Sequence, residues 1–219
     1  MSTNYREAHE APEPRSRDAE RSRVAILAAA RDEFAEYGLG GARVDRIAER
    51  ADVNKRLLYY YFDNKDTLFR AVLEEACGHI RAAEQQLHLA ELPPADAVRT
   101  LTEFTWNYYL AHPEFLTLLN SENLHRARHL QASTRAPALN SPLIQTLGGV
   151  LERGRRKGVF RAGIDPLQLY ISIAGLAYFY LSNNHTLSAI FNRDLMSADA
   201  RDERLAHICD VILRYVQKG

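Results

Sequence analysis

A short segment near residue 55 concentrates side chains that could contact nucleic acid. Asn54 is a residue type that caps a helix N-terminus, and Lys55, Arg56, Tyr59 and Tyr60 follow it. Cationic side chains and tyrosine hydroxyls bind phosphates, and an arginine can read a guanine edge with two hydrogen bonds. The spacing places these four side chains on one face of a helix, which predicts contact with DNA.

The opposite face of this helix is apolar, and a second short helix precedes it. Leu58, Tyr61 and Phe62 recur at i, i+3 and i+4, which predicts that they face inward. The preceding helix carries its own apolar stripe and ends in a tight turn at Asp52-Val53-Asn54; the stripe consists of Val44, Ile47, Ala48 and Ala51. Two short helices joined in this way are typical of a helix-turn-helix, whose second helix lies in the major groove.

The charge of the whole chain gives no indication of a nucleic-acid partner. The sequence has 28 Lys and Arg and 28 Asp and Glu, so its formal net charge is zero. Between Arg43 and Arg56, however, basic residues outnumber acidic ones. Lys65 follows near the start of a fourth helix, where a cation opposes the helix dipole. A binding partner explains this lysine better than helix stability does.

The segment resembles the DNA-binding domain of the TetR family over roughly residues 22 to 75. The resemblance rests on Ile47-Ala48, Ala51-Asp52-Val53, Leu58-Tyr59-Tyr60-Tyr61-Phe62 and Lys65. It implies that Lys55, Tyr59, Tyr60 and Lys65 contact DNA, with Tyr60 and Lys65 bound chiefly to phosphates.

Four positions depart from the family pattern. Asp52 replaces the usual turn glycine, Arg43 replaces a Ser or Thr, and Arg56 and Leu57 replace small residues. Arg43 could substitute a charged phosphate contact for a hydroxyl one, and Arg56 could reach a guanine edge. The operator sequence is left open by these changes.

The surrounding elements predict an all-α protein with about nine helices. We interpret residues 1–20 as a flexible arm, 21–66 as a three-helix DNA-binding domain and 67–219 as a ligand-sensing and dimerisation domain. A long fourth helix is expected to reach about Leu89, and further helices are expected near 94–111, 113–129, 141–157, 165–183 and 198–217. No stretch shows the sustained alternation of a strand.

Aromatic and polar residues in the second domain are candidates for a ligand pocket. Trp106, Tyr109, Asn123 and Tyr178 combine apolar area with a few polar anchors, as small-molecule sites do. Plain core packing of the aromatic residues is an equally open interpretation, and Asn123 could instead lie on the surface.

A different function class is kept as an alternative. Glu122, His125 and His129 have helical spacings that could place metal ligands on one face, as in an all-α enzyme or metal-binding protein. The sequence contains no second motif of this kind and no nucleophile–base constellation, so neither a catalytic residue nor a cofactor is predicted.

The last two long helices are apolar over wide faces, which favours a homodimer. The resemblance implies a four-helix bundle across a two-fold axis, with two recognition helices on a palindromic double-stranded operator. A small molecule would then change the separation of these helices and release the DNA, although an activator is also possible. The charged N-terminus and the absence of a long apolar stretch predict a cytoplasmic protein without a membrane segment.

Overall fold

The computed structural model describes residues 14–218, with the side chains of residues 18–135 and 142–218. The chain forms two compact units, one ending at Phe69 and the other beginning at Arg70. In the described residues the regular secondary structure is helical, apart from one isolated bridge between Phe160 and Gln217. The prediction of an all-α fold is confirmed.

The first unit contains the predicted helix-turn-helix. Its helices are α1 (Pro14–Gly41), α2 (Val44–Arg50), α3 (Lys55–Phe62) and the first residues of α4 (Lys65–Gln85). Gly38 interrupts α1 with φ 64°, a left-handed conformation that glycine adopts without a Cβ clash. The core is formed mainly by apolar side chains, and its members include Ile26, Ala30, Phe34, Ile47, Leu58, Leu68 and Phe69.

The second unit is built around α5 (Pro94–Ala111), which packs against three later helices, α8 (Ala136–Arg156), α9 (Pro166–Ser182) and α11 (Ala198–Val216). Three shorter helices complete it: α6 (Pro113–Leu124), α7 (Arg128–Gln131) and α10 (Asn184–Phe191). Trp106, Leu147, Leu169, Ile173 and Ile208 are almost fully buried between the long helices.

Some predicted boundaries differ from the structure. Helix α1 begins at Pro14, so it includes residues 14–20 of the predicted arm; residues 1–13 lie outside the described part of the chain. Proline fits the first turn of a helix because its missing N–H would have no intrahelical partner there. Pairs of opposite charge, such as Asp18 with Arg21, support this turn without an apolar stripe.

The later helices also differ in detail. Helix α4 ends at Gln85, before the predicted Leu89, and α8 begins at Ala136, before the predicted start near residue 141. The predicted helix over 113–129 is two helices, because the chain turns at Arg126 and Ala127 with positive φ. Helix α10 was not predicted. The described part of the chain has eleven helices, consistent with the approximate expectation of nine.

Two further features of the described residues bear on the sequence analysis. None of their helices has the length and apolar character needed to span a membrane. Cys77 and Cys209 are free thiols. Burial raises the pKa of both thiols, which keeps them in the protonated, unreactive form.

Candidate DNA-binding surface and ligand site

The recognition helix α3 has the two faces that its sequence predicts. Asn54 caps it, since its side-chain oxygen accepts a hydrogen bond of 2.8 Å from the backbone N–H of Leu57. Leu58 and Phe62 are buried, whereas Tyr60 is 79% exposed. The prediction of the cap is confirmed, and the exposed face carries the candidate DNA contacts.

Other side chains of α3 complete this surface. Tyr59 is exposed, while Tyr61, predicted to face inward, is only half-buried and lies edge-on to Tyr60 with ring centroids 5.3 Å apart. Lys55 is exposed and forms an ion pair with Asp45 of α2. Arg56 is exposed and has no hydrogen-bond or ion-pair partner among the residues that the structure describes. Its guanidinium is therefore available to an external anion or base edge.

The turn between α2 and α3 accommodates aspartate in place of glycine. Asp52 adopts φ 51°, in the left-handed region. Its neighbour Val53 donates its N–H to the carbonyl of Ala48 at 3.0 Å, which closes the turn. Aspartate tolerates this backbone better than most residues, so the turn geometry persists without glycine.

Much of the local basic excess is neutralised by α1. Glu33 is fully buried and accepts hydrogen bonds from Arg46 Nε at 2.7 Å and from the backbone N–H of Arg43 at 2.9 Å. Burial disfavours the ionised form of Glu33, but these hydrogen bonds outweigh it and lower the pKa of the carboxyl. Arg50 is similarly held by Glu36 at 2.8 Å. Arg46 and Arg50 therefore stabilise the packing of α2 on α1.

Arg43 and Lys65 are placed differently from each other. The Arg43 side chain is exposed at the start of α2, 3.9 Å from Asp45. The Lys65 ammonium instead donates to the carbonyl oxygens of Leu39 at 2.8 Å and Ala42 at 3.2 Å. These oxygens lie in the last turn of α1 and directly after it, so Lys65 has partners within the chain, and its predicted contact with phosphate stays a prediction.

The four candidate ligand residues differ in their surroundings, and their role in ligand binding stays a prediction. Trp106 is buried against Tyr180, and Tyr109 is buried and stacks on Phe115. Asn123 is exposed near the end of α6. The half-buried Tyr178 donates its hydroxyl to the side chain of Asn120, also on the surface.

A cavity of about 220 Å³ lies elsewhere in the second unit, between the end of α4, the loop after it and the middle of α8. Arg81 and Glu84 of α4 line it, and both are buried. Sequence reasoning missed this pair. Their i, i+3 spacing resembles an ordinary surface ion pair, and nothing in the local sequence shows that the pair is buried. None of the four candidate residues lines this cavity.

The alternative metal or catalytic cluster has a structural role. Glu122 is buried and accepts the backbone N–H groups of His129 and Leu130, both at 2.9 Å, so it caps the start of α7. Its other oxygen lies 2.5 Å from Nδ1 of His129, whereas His125 hydrogen-bonds the carbonyl of Ser121. Across residues 14–218 the structure contains no cluster of three or more potential metal ligands.

Comparisons with known proteins agree with this arrangement. Residues 26–72 match the family model described as bacterial regulatory proteins of the tetR family, and residues 94–212 match the tetracyclin repressor-like C-terminal domain. The transcriptional repressor NicS of Pseudomonas putida is 40% identical over 93% of this chain and 96% of its own length.

Solved structures show the same fold. A TetR family regulator from Marinobacter aquaeolei superposes with a TM-score of 0.68 at 19% identity, covering 94% of this chain and all of that one. FadR of Bacillus subtilis, solved in complex with stearoyl-CoA, gives a TM-score of 0.66 at 16% identity, over 89% of this chain and all of its own.

Proposed function

This chain belongs to the TetR family of bacterial regulatory proteins, and we propose that it contacts its operator through the exposed face of α3. Members of this family bind operator DNA, typically as homodimers, and respond to small molecules. The chain is accordingly a ligand-responsive transcriptional regulator and not an enzyme. The name of the NicS relative supports repression as the direction of control.

The exposure of Tyr60 carries the assignment of the DNA-binding face. A tyrosine that is 79% exposed contributes little to packing, and it lies one residue after the exposed Tyr59. Both follow the capped N-terminus of α3, where backbone N–H groups favour a phosphate. We assign Tyr59 and Tyr60 to the DNA backbone, together with the N-terminal amides next to Asn54.

The cationic residues near α3 differ in the partners that they have within the chain, and we propose different roles for them. Arg56 has no partner in the described residues and is the candidate for base recognition. Lys55 and Arg43 both lie near Asp45 and would exchange that carboxylate for phosphate on binding. Lys65 supports the surface by fixing the end of α1, and a direct phosphate contact would require it to leave these carbonyls.

Operator release requires a ligand that prefers the released conformation. A molecule with equal affinity for the DNA-bound and released states shifts no population. We propose that the ligand binds within the second unit and that two chains bind a palindromic operator together. Since the target is bacterial DNA, we place the regulator in the cytoplasm.

Binding to double-stranded DNA from the upstream region of its own gene tests the proposed face. Tyr60→Ala is expected to weaken binding without changing its salt dependence, because no charge is lost. Lys55→Ala is expected to reduce the salt slope by about one. Arg56→Ala is expected to lower affinity by roughly 10- to 100-fold and to relax the preference for one base pair.

Arg155→Ala is the matched control for the arginine variant, since Arg155 is an exposed arginine of α8 paired with Glu152. It is expected to bind DNA like the unmodified protein. If folded Tyr60→Ala and Arg56→Ala proteins both retain full affinity for an operator that the unmodified protein binds, α3 does not present the DNA-binding face that we propose.

A further inference from the structure

The cavity at the end of α4 has an unusual inner wall, formed by a buried pair of charges. Glu84 is 3% exposed and Arg81 is 8% exposed. Arg81 Nη1 lies 2.8 Å from Glu84 Oε2, and Arg81 Nη2 donates to the hydroxyl of Tyr170 at 2.6 Å. The two charges are thereby brought together and removed from water.

Hydrogen-bonding capacity nevertheless remains unused at this pair. The contact between Arg81 and Glu84 lacks hydrogen-bond geometry. Arg81 Nη1 and both carboxylate oxygens of Glu84 are consequently without a hydrogen-bond partner in the described part of the chain. Buried polar atoms in native proteins are nearly always satisfied. An unused donor beside two unused acceptors, on two residues that line a cavity, indicates a ligand that supplies the missing partners.

Charge selects among the possible ligands. An anion would be attracted by Arg81 but repelled by Glu84. Glu91 also borders the cavity, but its side chain is 80% exposed, so solvent screens its charge. A cation would be attracted by Glu84 but repelled by Arg81. An uncharged group with an acceptor atom next to a donor, as in an amide, can bond to both residues without either repulsion.

We propose that this cavity is the effector site and that it binds a small uncharged molecule through an amide-like edge held by Arg81 and Glu84. The inference rests on the proposed ligand-responsive function and specifies the class of its ligand. The volume of about 220 Å³ limits the ligand to roughly one ring with substituents, since a cavity of about 150 Å³ holds benzene. Apolar wall residues, Leu89 and Leu143 among them, contact the ring.

Thermal unfolding of the full chain with three matched probes tests the proposal. Benzamide, benzoate and benzamidine share one ring and differ in charge, with benzamide neutral. Benzamide at millimolar concentration is expected to raise the unfolding temperature in a concentration-dependent manner, and more than either charged probe. Glu84→Gln removes the negative charge and is expected to shift the preference from benzamide toward benzoate by about tenfold.

Two further variants separate recognition from a general structural effect. Glu91→Gln makes the same chemical change at a residue of the cavity whose side chain is 80% exposed, and it is expected to leave the preference unchanged. Thr146→Phe fills the cavity from α8 and is expected to abolish the benzamide response, which tests the site even if Glu84→Gln fails to fold.

Three results would overturn the proposal: no stabilisation by benzamide, stronger stabilisation by benzoate, or an unchanged preference in a folded Glu84→Gln protein. The unfolding measurements contain no DNA, whereas the α3 variants are measured by operator binding. The ligand site and the DNA-binding face can therefore fail independently of each other.

Discussion

Asp52 is held in a backbone conformation that favours glycine. Its φ of 51° brings the aspartate Cβ close to its own backbone, a strain of roughly 1–2 kcal/mol for residues with a side chain. Asp52→Gly is expected to raise the free energy of unfolding by up to about 1 kcal/mol, because relief of this strain exceeds the entropy cost of glycine. Urea denaturation measures the change.

Asp32→Gly is the matched control, since Asp32 is an exposed residue in the regular part of α1. Glycine in a helix interior costs about 1 kcal/mol, so this variant is expected to be less stable than the unmodified protein. A loss of stability in both variants would show that the turn at Asp52 is not strained.

Glu84 makes the stability of the protein depend on pH near neutrality. Burial raises the pKa of Glu84 to about 7, against the attraction of Arg81. Because the folded chain holds this proton more tightly than the unfolded chain, the carboxyl favours folding fully below pH 4.5. This contribution is lost as the pH rises to about 7.

Glu84→Gln is expected to remove this part of the pH dependence. The loss of stability between pH 4.5 and 7 should shrink by about 1–3 kcal/mol relative to the unmodified protein. Denaturation curves on both sides of this pH range measure the difference, and Glu91→Gln serves as the control. If the free energy of unfolding depended on pH in the same way in all three proteins, Glu84 would already be ionised below pH 4.5 in the folded chain.

At the scale of helices, Lys65 connects the start of α4 to the end of α1. Its ammonium donates to the carbonyl oxygen of Leu39, in the last turn of α1, and to that of Ala42, directly after the helix. Lys65→Ala is expected to reduce the free energy of unfolding by about 1–2 kcal/mol, as expected for hydrogen bonds from a charged donor.

Lys55→Ala is the matched lysine control. Its exposed ion pair with Asp45 is worth less than about 1 kcal/mol, so the stability should hardly change while the salt slope of DNA binding falls. If Lys65→Ala kept full stability and lost only DNA affinity, Lys65 would act on phosphate and not on α1.

What the sequence could predict depends on how local each interaction is. The cap at Asn54 and the buried Leu58 and Phe62 follow from spacings of three or four residues, and they are confirmed. The surroundings of Arg46 and Lys65 depend on partners in α1 that are distant in sequence, and a count of nearby charges does not include them.

The same reasoning explains why the candidate ligand residues differ from the residues that line the cavity. Trp106 and Tyr109 were chosen for their aromatic type, but long helices pack such residues into the core. The cavity instead depends on how the end of α4 meets Pro142 and Leu143 of α8, more than fifty residues later. Helical periodicity predicts which face of a helix is buried but not which other helix covers it. The cavity could therefore be found only from the tertiary structure.

At the scale of the whole molecule, the exposed apolar side chains of α9 and α11 indicate where two chains meet. Ile171 and Phe179 of α9 are 51% and 59% exposed, and Val211 and Tyr215 of α11 are also exposed. The two helices pack against each other within the chain. Their apolar residues would be covered if the pair met its copy across a two-fold axis, which agrees with the bundle that the family resemblance implies.

The double variant Ile171→Asp, Phe179→Asp is expected to convert the dimer into a folded monomer, because four carboxylates would enter one apolar interface. Light scattering after size-exclusion chromatography measures the mass. Operator affinity should fall by at least about a hundredfold, since each half-site would bind without the second.

Leu124→Asp is the control, because Leu124 is 84% exposed at the end of α6, outside this pair of helices. If the double variant remained dimeric while still folded, the interface would have to lie elsewhere. Helix α10, which exposes Ile190 and Phe191, would then be the next surface to substitute.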